Sequence, residues 1–383
     1  MAFLNKNTAL AVAALVACGT AAATEDYDLR YAPGYGAADM SAPFEGGWVF
    51  QAHAYAYSGN VRGTSVQQTD LTGALSLALG QQLPPNSAGA TTIIHTNEQI
   101  NVNGLLPRLS YMSSTTFLGA TLGGTVLLPL VNKGSTASVT SVGPTTLSGV
   151  ALGLPPANQA GLIGLVNAGV TQGADALVAA NSNKTWGPGD LEFSPILRWS
   201  TEATQTLFVL TTVAPTGDYD KNRAANPSAG KFWTFRPAVQ FSYIGDGWDM
   251  GTRVAYSYNT RNVETKYKSG SYVNVDLALM KSISESTRIG LSGYGVEQLQ
   301  KDNTRLSTAA DYVATFGAAN AAVAEAREAA TLGEKGRIIG VGPEIAYIHG
   351  AGDYLLEGRI MKEFGAESRP KGFTAFVTLS KPF

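Results

Sequence analysis

Cysteine is almost missing from this chain. The only one in 383 residues is Cys18, so a disulfide framework and a cysteine-ligated metal are both excluded. Histidine is nearly as scarce. His53, His95 and His349 lie far apart, and none belongs to a metal-spacing motif. The serines form no nucleophile elbow, and no motif for a cofactor is present. Charge is thin as well: Asp, Glu, Lys and Arg make up 15% of residues, well under the usual quarter. A net charge of −2 argues against nucleic acid as a partner. Long apolar runs are lacking too. The nearest, Ala160–Ala180, is interrupted by Asn167, Gln172, Asp175 and several glycines, so it is not a convincing membrane-spanning helix.

What is present points to export. Lys6 precedes an apolar stretch from Thr8 to Ala17, and Ala21-Ala22-Ala23 forms a small-residue cleavage site. Residues 1–23 therefore read as a signal peptide. Leu15-Val16-Ala17-Cys18 also fits a lipoprotein box, in which Cys18 carries the acyl group. Both readings send the chain out of the cytoplasm. Residues 24–47 then form an N-terminal periplasmic or lumen segment, and residues 48–383 the main domain.

That domain is written in period two, the mark of strands with two unlike faces. Such segments run over 46–57, 100–111, 115–131, 189–200, 205–215, 232–244, 248–260, 271–283, 287–299, 336–348, 353–364 and 372–383. Most are long enough for a tilted strand to cross a membrane, which takes about 9–11 residues. The connections alternate in length. Short ones fall at Met112–Ser114, Thr201–Gln205, Gly245–Gly247, Ser284–Thr287 and His349–Gly352. Long ones fall at 58–99, 132–188, 216–231, 261–270, 300–335 and 365–371. Short turns on one side and long loops on the other describe an all-β fold: a transmembrane antiparallel barrel of about twelve strands in a Gram-negative outer membrane. The final strand, ending in Phe383, is expected to pair with the first. Its ring then suits the headgroup layer and can serve the barrel assembly machinery. Lipid and lipopolysaccharide are the expected surroundings.

Four strands repeat Pro-x-apolar-x-aromatic: Pro107 to Tyr111, Pro195 to Trp199, Pro237 to Phe241 and Pro343 to Tyr347. The repeated set reads as lipid-facing, its aromatics forming a girdle joined by Trp48, Trp248 and Tyr354. Because proline removes a ladder hydrogen bond, a bulge is expected at each site. The opposite parity faces the lumen. It carries Arg108, Glu192, Arg198, Arg236, Arg253, Asp276, Glu344, Glu357 and Arg359. These nine are either ion-paired or solvated braces, or a polar eyelet along a substrate path. Their near balance of sign argues against an ion filter.

Helical patterns occur in three long loops, at Asp70–Leu83, Ala160–Ala180 and Ala309–Thr331. They either line a vestibule for apolar molecules or pack on other loops. Thr216 to Asp220 is faintly like a calcium loop but lacks the terminal Glu, and a turn explains it as well.

Four stretches carry a resemblance. They are Tyr31-Ala-Pro-Gly-Tyr-Gly-Ala37, Gly189-Asp-Leu-Glu-Phe-Ser-Pro195, Thr212-Val-Ala-Pro-Thr-Gly-Asp-Tyr219 and the paired strands of 233–299. With these the chain resembles the MetA-pathway of phenol degradation family. The resemblance implies an outer-membrane channel for small hydrophobic compounds, aromatic or aliphatic, linked to their degradation. It supplies no catalytic residues. It also implies a distant similarity to long-chain fatty-acid transporters, whose N-terminal segment plugs the barrel; Thr24–Gly47 is short for a full hatch. A barrel with no transport role, either a surface hydrolase or a structural protein, is the alternative.

Overall fold

The computed structural model describes residues 25, 28–40, 46–180 and 182–383. The expected leader over 1–23, with Cys18 and the cleavage site, lies outside the described residues.

Strands β1 (Gly47–Asp70), β2 (Ala88–Phe117), β3 (Ala120–Leu127), β4 (Leu130–Gly149), β5 (Asn183–Pro188), β6 (Glu192–Ser200), β7 (Thr204–Val213), β8 (Thr234–Gly245) and β9 (Trp248–Asn259) open the order. They are followed by β10 (Tyr267–Lys268), β11 (Tyr272–Ser282), β12 (Thr287–Gln298), β13 (Asn303–Thr304), β14 (Arg337–His349), β15 (Tyr354–Glu367) and β16 (Lys371–Pro382). Twelve of them close a ring: β1, β2, β3, β6, β7, β8, β9, β11, β12, β14, β15, β16 and back to β1, each antiparallel to its neighbours. Closure removes every edge from the membrane, which an open sheet cannot do.

The seam joins β16 to β1 from Val49 opposite Pro382 to Asn60 opposite Lys371. Below it, Phe383 N donates to Trp48 O at 3.0 Å and Trp48 N donates to Phe383 O at 3.3 Å. Deleting Phe383 removes both bonds and an exposed ring at the interface, a loss of about 2 kcal/mol at the usual net value per bond. The expected result is a lower fraction of heat-modifiable folded barrel, measured by gel mobility of unheated outer membranes.

Five short connections sit at the end where Phe383 lies. Four match the expected positions and the first does not. The structure carries β2 through Met112–Ser114 and turns at Leu118-Gly119, where φ is +51° and +75°. A two-residue hairpin needs positive φ at both central positions, which Gly119 accepts without cost. The pair Ser113-Ser114 stays extended instead, within a register shift between Met112 and Thr116.

The larger correction concerns the long loops. Much of 58–99 and 132–188 is strand, not loop. β1 pairs with β16 only to Asn60, yet it stays paired with β2 to Asp70. Ten further residues at about 3.4 Å each carry this hairpin roughly 30 Å beyond the wall. β4 joins it along the upper half of β2, while β3 takes the lower half. The extension is polar on both faces over much of its length, so period two gave no contrast there. Its apolar core is confined to the tip. There Ile94, Leu147 and Ala88 meet α1 (Thr72–Leu79) and the Leu162, Val166, Val170 and Ala174 stripe of α2 (Pro156–Ala180). The third helical patch is two helices, α3 (Ala309–Phe316) and α4 (Ala321–Thr331), packed through Tyr312, Phe316, Ala321 and Ala324. The helices thus pack on loops and on the extension.

The expected bulges at proline are absent from the ladders. At Pro195, Pro237 and Pro343 pairing toward β7, β9 and β15 skips the proline and resumes with the same offset. Antiparallel residues alternate the side to which they hydrogen-bond. A proline therefore forfeits a bond to one neighbour only, and register survives. Tyr111, Trp199, Phe241 and Tyr347 all point outward and are exposed, as are Trp48 and Trp248. Tyr354 lies at the same end, stacked on His349 with ring centres 4.7 Å apart.

Candidate functional site

The lumen is occupied by the chain's own N-terminal segment. Residues 28–40 run through it, ending in a 3-10 turn at Tyr35–Asp39 that packs against β9 and β11. Two glycines explain why this stretch fits. Gly34 has φ of +85°, and a Cβ there would lie 2.4 Å from Met361 Cε; a Cβ on Gly36 would lie 2.7 Å from Asp276 Oδ2. Only glycine allows so close a backbone approach.

The wall holds this segment with charged and hydroxyl side chains. Asp276 accepts from the Tyr31 hydroxyl and, at 3.0 Å, from the Gly34 amide. Arg236 donates to the Arg30 carbonyl, to Ser257 Oγ at 3.1 Å and to Glu192 at 3.4 Å. The Tyr272 hydroxyl donates to the Leu29 carbonyl. Arg359 pairs with Glu344 at 3.3 Å and reaches the Tyr35 carbonyl at 3.4 Å. At the outer end Arg30 is clamped by the Gly230 and Phe232 carbonyls and by Asp190, 2.9 Å away. Asp190 in turn accepts from Ser228 Oγ and the Gly217 amide. Burial opposes charge on Asp28, but Lys133 at 3.2 Å and the Arg30 amide hold its carboxyl below the ordinary range.

The nine residues read from strand parity divide accordingly. Arg236, Arg253, Asp276, Glu344, Glu357 and Arg359 are buried on the inner face, and Arg236, Asp276 and Arg359 bond the segment directly. Arg108 and Glu192 line open space, and Arg253 borders the same cavity from its buried position. Arg198 is half-buried on the face of β6 that also carries Glu192, Ser194 and Ile196, nearer the short turns. Parity alone could not separate these groups, because it is blind to what fills the barrel. It also missed Arg30, Tyr31, Tyr35 and Asp190. The Gly-Tyr-Gly stretch at 34–36 was the one available signal.

Two cavities flank the segment. The inner one, about 470 Å³, opens at the short-turn end between Val49, Met112, Leu207, Ile348 and Leu355, with Gln51, Gln205, Arg108, Arg253 and Arg288 on its walls. The outer one, about 180 Å³, is bounded by Tyr31, Tyr55, Tyr57, Ile100, Val102, Leu106, Val131 and Val213. No residue of α1, α2, α3 or α4 is among its lining. Tyr35, Leu127 and Glu192 line both cavities.

The histidines are placed apart. His53 Nδ1 lies 3.0 Å from Thr378 Oγ1, His95 Nδ1 lies 2.9 Å from Thr64 Oγ1, and His349 stacks on Tyr354. In the stretch with a faint calcium pattern, Asp218 pairs with Arg223 at 2.8 Å and Asp220 accepts from the Asn222 amide. No cluster of three potential metal ligands occurs among the described residues.

Comparison with known proteins fits this architecture. An outer membrane channel from Pseudomonas putida F1 superimposes with a TM-score of 0.56 at 13% identity, covering 90% of this chain and 98% of that one. It shares the fold. The CymD monoaromatic hydrocarbon channel aligns at a TM-score of 0.38 and 8% identity, over 92% of this chain and 94% of that one. No curated protein matches the sequence. The protein is an outer-membrane β-barrel. With a family profile matching residues 82–379, it belongs to the family described as "Putative MetA-pathway of phenol degradation".

Proposed function

We propose that the barrel carries small, uncharged hydrophobic molecules, aromatic or short aliphatic, inward across the outer membrane. The observation that carries this reading is the outer cavity. A lumen open to water has no reason to gather Tyr55, Ile100, Leu106 and Leu127 on its inner face, yet these line a half-open space beside the segment, next to the charged Asp28, Lys133, Asp190 and Glu363. An apolar cavity of about 150 Å³ takes up benzene, so 180 Å³ suits one ring or a short chain. The charges that share its lining are paired with one another, Asp28 with Lys133 and Asp190 with Arg30. The solute then moves past the segment into the inner cavity, or sideways through the wall. Arg108, Glu192 and Arg253 contact it on the inner route. In this reading the other lumen charges brace the segment. The terminal Phe383 also serves recognition by the assembly machinery, and the outer surface meets lipopolysaccharide.

The test is uptake of radiolabelled toluene, phenol, short alkanes and a long-chain fatty acid by an expressing strain and an empty one. Faster entry of the single-ring solutes supports the proposal. Equal entry across the whole panel would overturn it and bring forward a barrel without a transport role.

A further inference from the structure

We infer that the Tyr35 side chain is a movable partition between the two cavities and sets the largest solute that passes. This rests on the transport reading above. It is nonetheless a statement about one side chain, and it differs from a gate that opens by moving the whole segment.

Three observations converge on Tyr35. Among the described residues it is one of three that line both cavities, the others being Leu127 and Glu192. Leu127 and Glu192 sit in the ladder opposite each other and are fixed to the wall. Tyr35 alone of the three is carried by the lumen segment, so its ring projects into the space between the chambers.

The second observation is that its backbone cannot readily move. Gly34, just before it, is anchored to Asp276 at 3.0 Å, with φ of +85°. The Tyr35 carbonyl accepts from Arg359, and its amide donates to the Ala32 carbonyl at 2.9 Å. Releasing this stretch means breaking several buried charged bonds at once, each costing about 1.5–3 kcal/mol.

The third observation is what the ring touches. It meets His53 edge-on at 4.7 Å and Tyr31 edge-on at 6.4 Å, with the Arg108 guanidinium 5.5 Å from its centre. These are aromatic and cation–π contacts, worth about 0.5–1.5 kcal/mol each. They are weaker than the bonds that hold the backbone. Rotation about two side-chain torsions therefore opens the way at far lower cost than moving the segment. The ring borders both chambers, so an apolar solute in the outer chamber can take its place against His53 and Leu127.

The test compares wild type, Tyr35→Ala and Tyr35→Leu, with Val239→Ala on the lipid face as a handling control. Single-channel conductance in planar bilayers is one readout. Uptake of toluene, naphthalene and anthracene by expressing cells is the other. Both Tyr35 variants are expected to raise conductance roughly twofold or more, because the narrowest lining sets the flux. They should also admit naphthalene where wild type admits only toluene. Having two variants of different size keeps the test valid if one assembles poorly. Wild-type conductance and an unchanged size limit in an assembled variant would overturn the partition. Failure of wild type to take up toluene faster than the empty strain would overturn the transport reading instead, while the conductance comparison still decides the role of Tyr35.

Discussion

Val377→Arg is expected to cost the folded barrel about 2–4 kcal/mol, the price of an arginine facing lipid near the bilayer midplane. Val377 is 54% exposed in mid-strand on β16, between Phe373 and Leu379 on the outer face. Leu379→Arg should cost less, because Leu379 lies nearer the interface. The measurement is equilibrium urea unfolding of protein refolded into liposomes, followed by tryptophan fluorescence. Gln205→Arg is the comparison on the inner face. Gln205 lines the 470 Å³ cavity, so the longer side chain has room and water. It should refold close to wild type. Equal loss at Val377 and Gln205 would mean that the faces are misassigned. Thr378, next to Val377 and inward-facing, is not a suitable comparison despite its parity. It is fully buried against His53, whose ring in turn meets Tyr35. Arginine has no space there, and Thr378→Arg should fail as well, for packing rather than for lipid.

Asp190→Ala is expected to loosen the N-terminal segment. The substitution leaves the Arg30 guanidinium buried without its carboxylate, and it leaves Ser228 and the Gly217 amide without an acceptor. Breaking a buried ion pair by removing one partner costs about 3–5 kcal/mol. The carbonyls of Gly230 and Phe232 still face Arg30, so the expected loss lies at the lower end. Hydrogen exchange of residues 28–40 should accelerate, and channel conductance should become larger and noisier. Asp190→Asn keeps an acceptor for Ser228 and Gly217 and should show a smaller change in both. Exchange and conductance identical to wild type in Asp190→Ala would show that Asp276, Arg236 and Arg359 hold the segment without the outer clamp. In that case the inner route would not depend on Arg30.

The barrel itself was legible because a membrane imposes a strict rule on sequence. Every spanning strand must alternate outward and inward residues, as Val377 and Leu379 alternate with Thr378 and Ser380. Every turn on one side must be short. Outward residues such as Val239, Leu291 and Ile345 therefore announce themselves one at a time, with no need of their neighbours. The rule lapses where lipid ends. Beyond Asn60 the hairpin of β1 and β2 has left the lipid, and its threonines, asparagines and glutamines read as loop. The prolines were visible, but their consequence was not. Whether Pro237 needs a bulge depends on which neighbour its missing amide would have faced.

Strand count, closure, the outward face and the inward charges follow from the sequence alone, because each is decided by one residue's relation to lipid. What fills the lumen does not. Arg236 and Arg108 look alike in a strand pattern, yet one is locked to the Arg30 carbonyl and the other lines open space. That difference arises when a segment distant in sequence folds into the barrel. Gly34 and Gly36 let its backbone lie against Met361 and Asp276. Only the tertiary structure brings Tyr35 between two cavities, since the residues that line them run from Asp28 to Pro382 along the chain and no local periodicity encodes such a gathering.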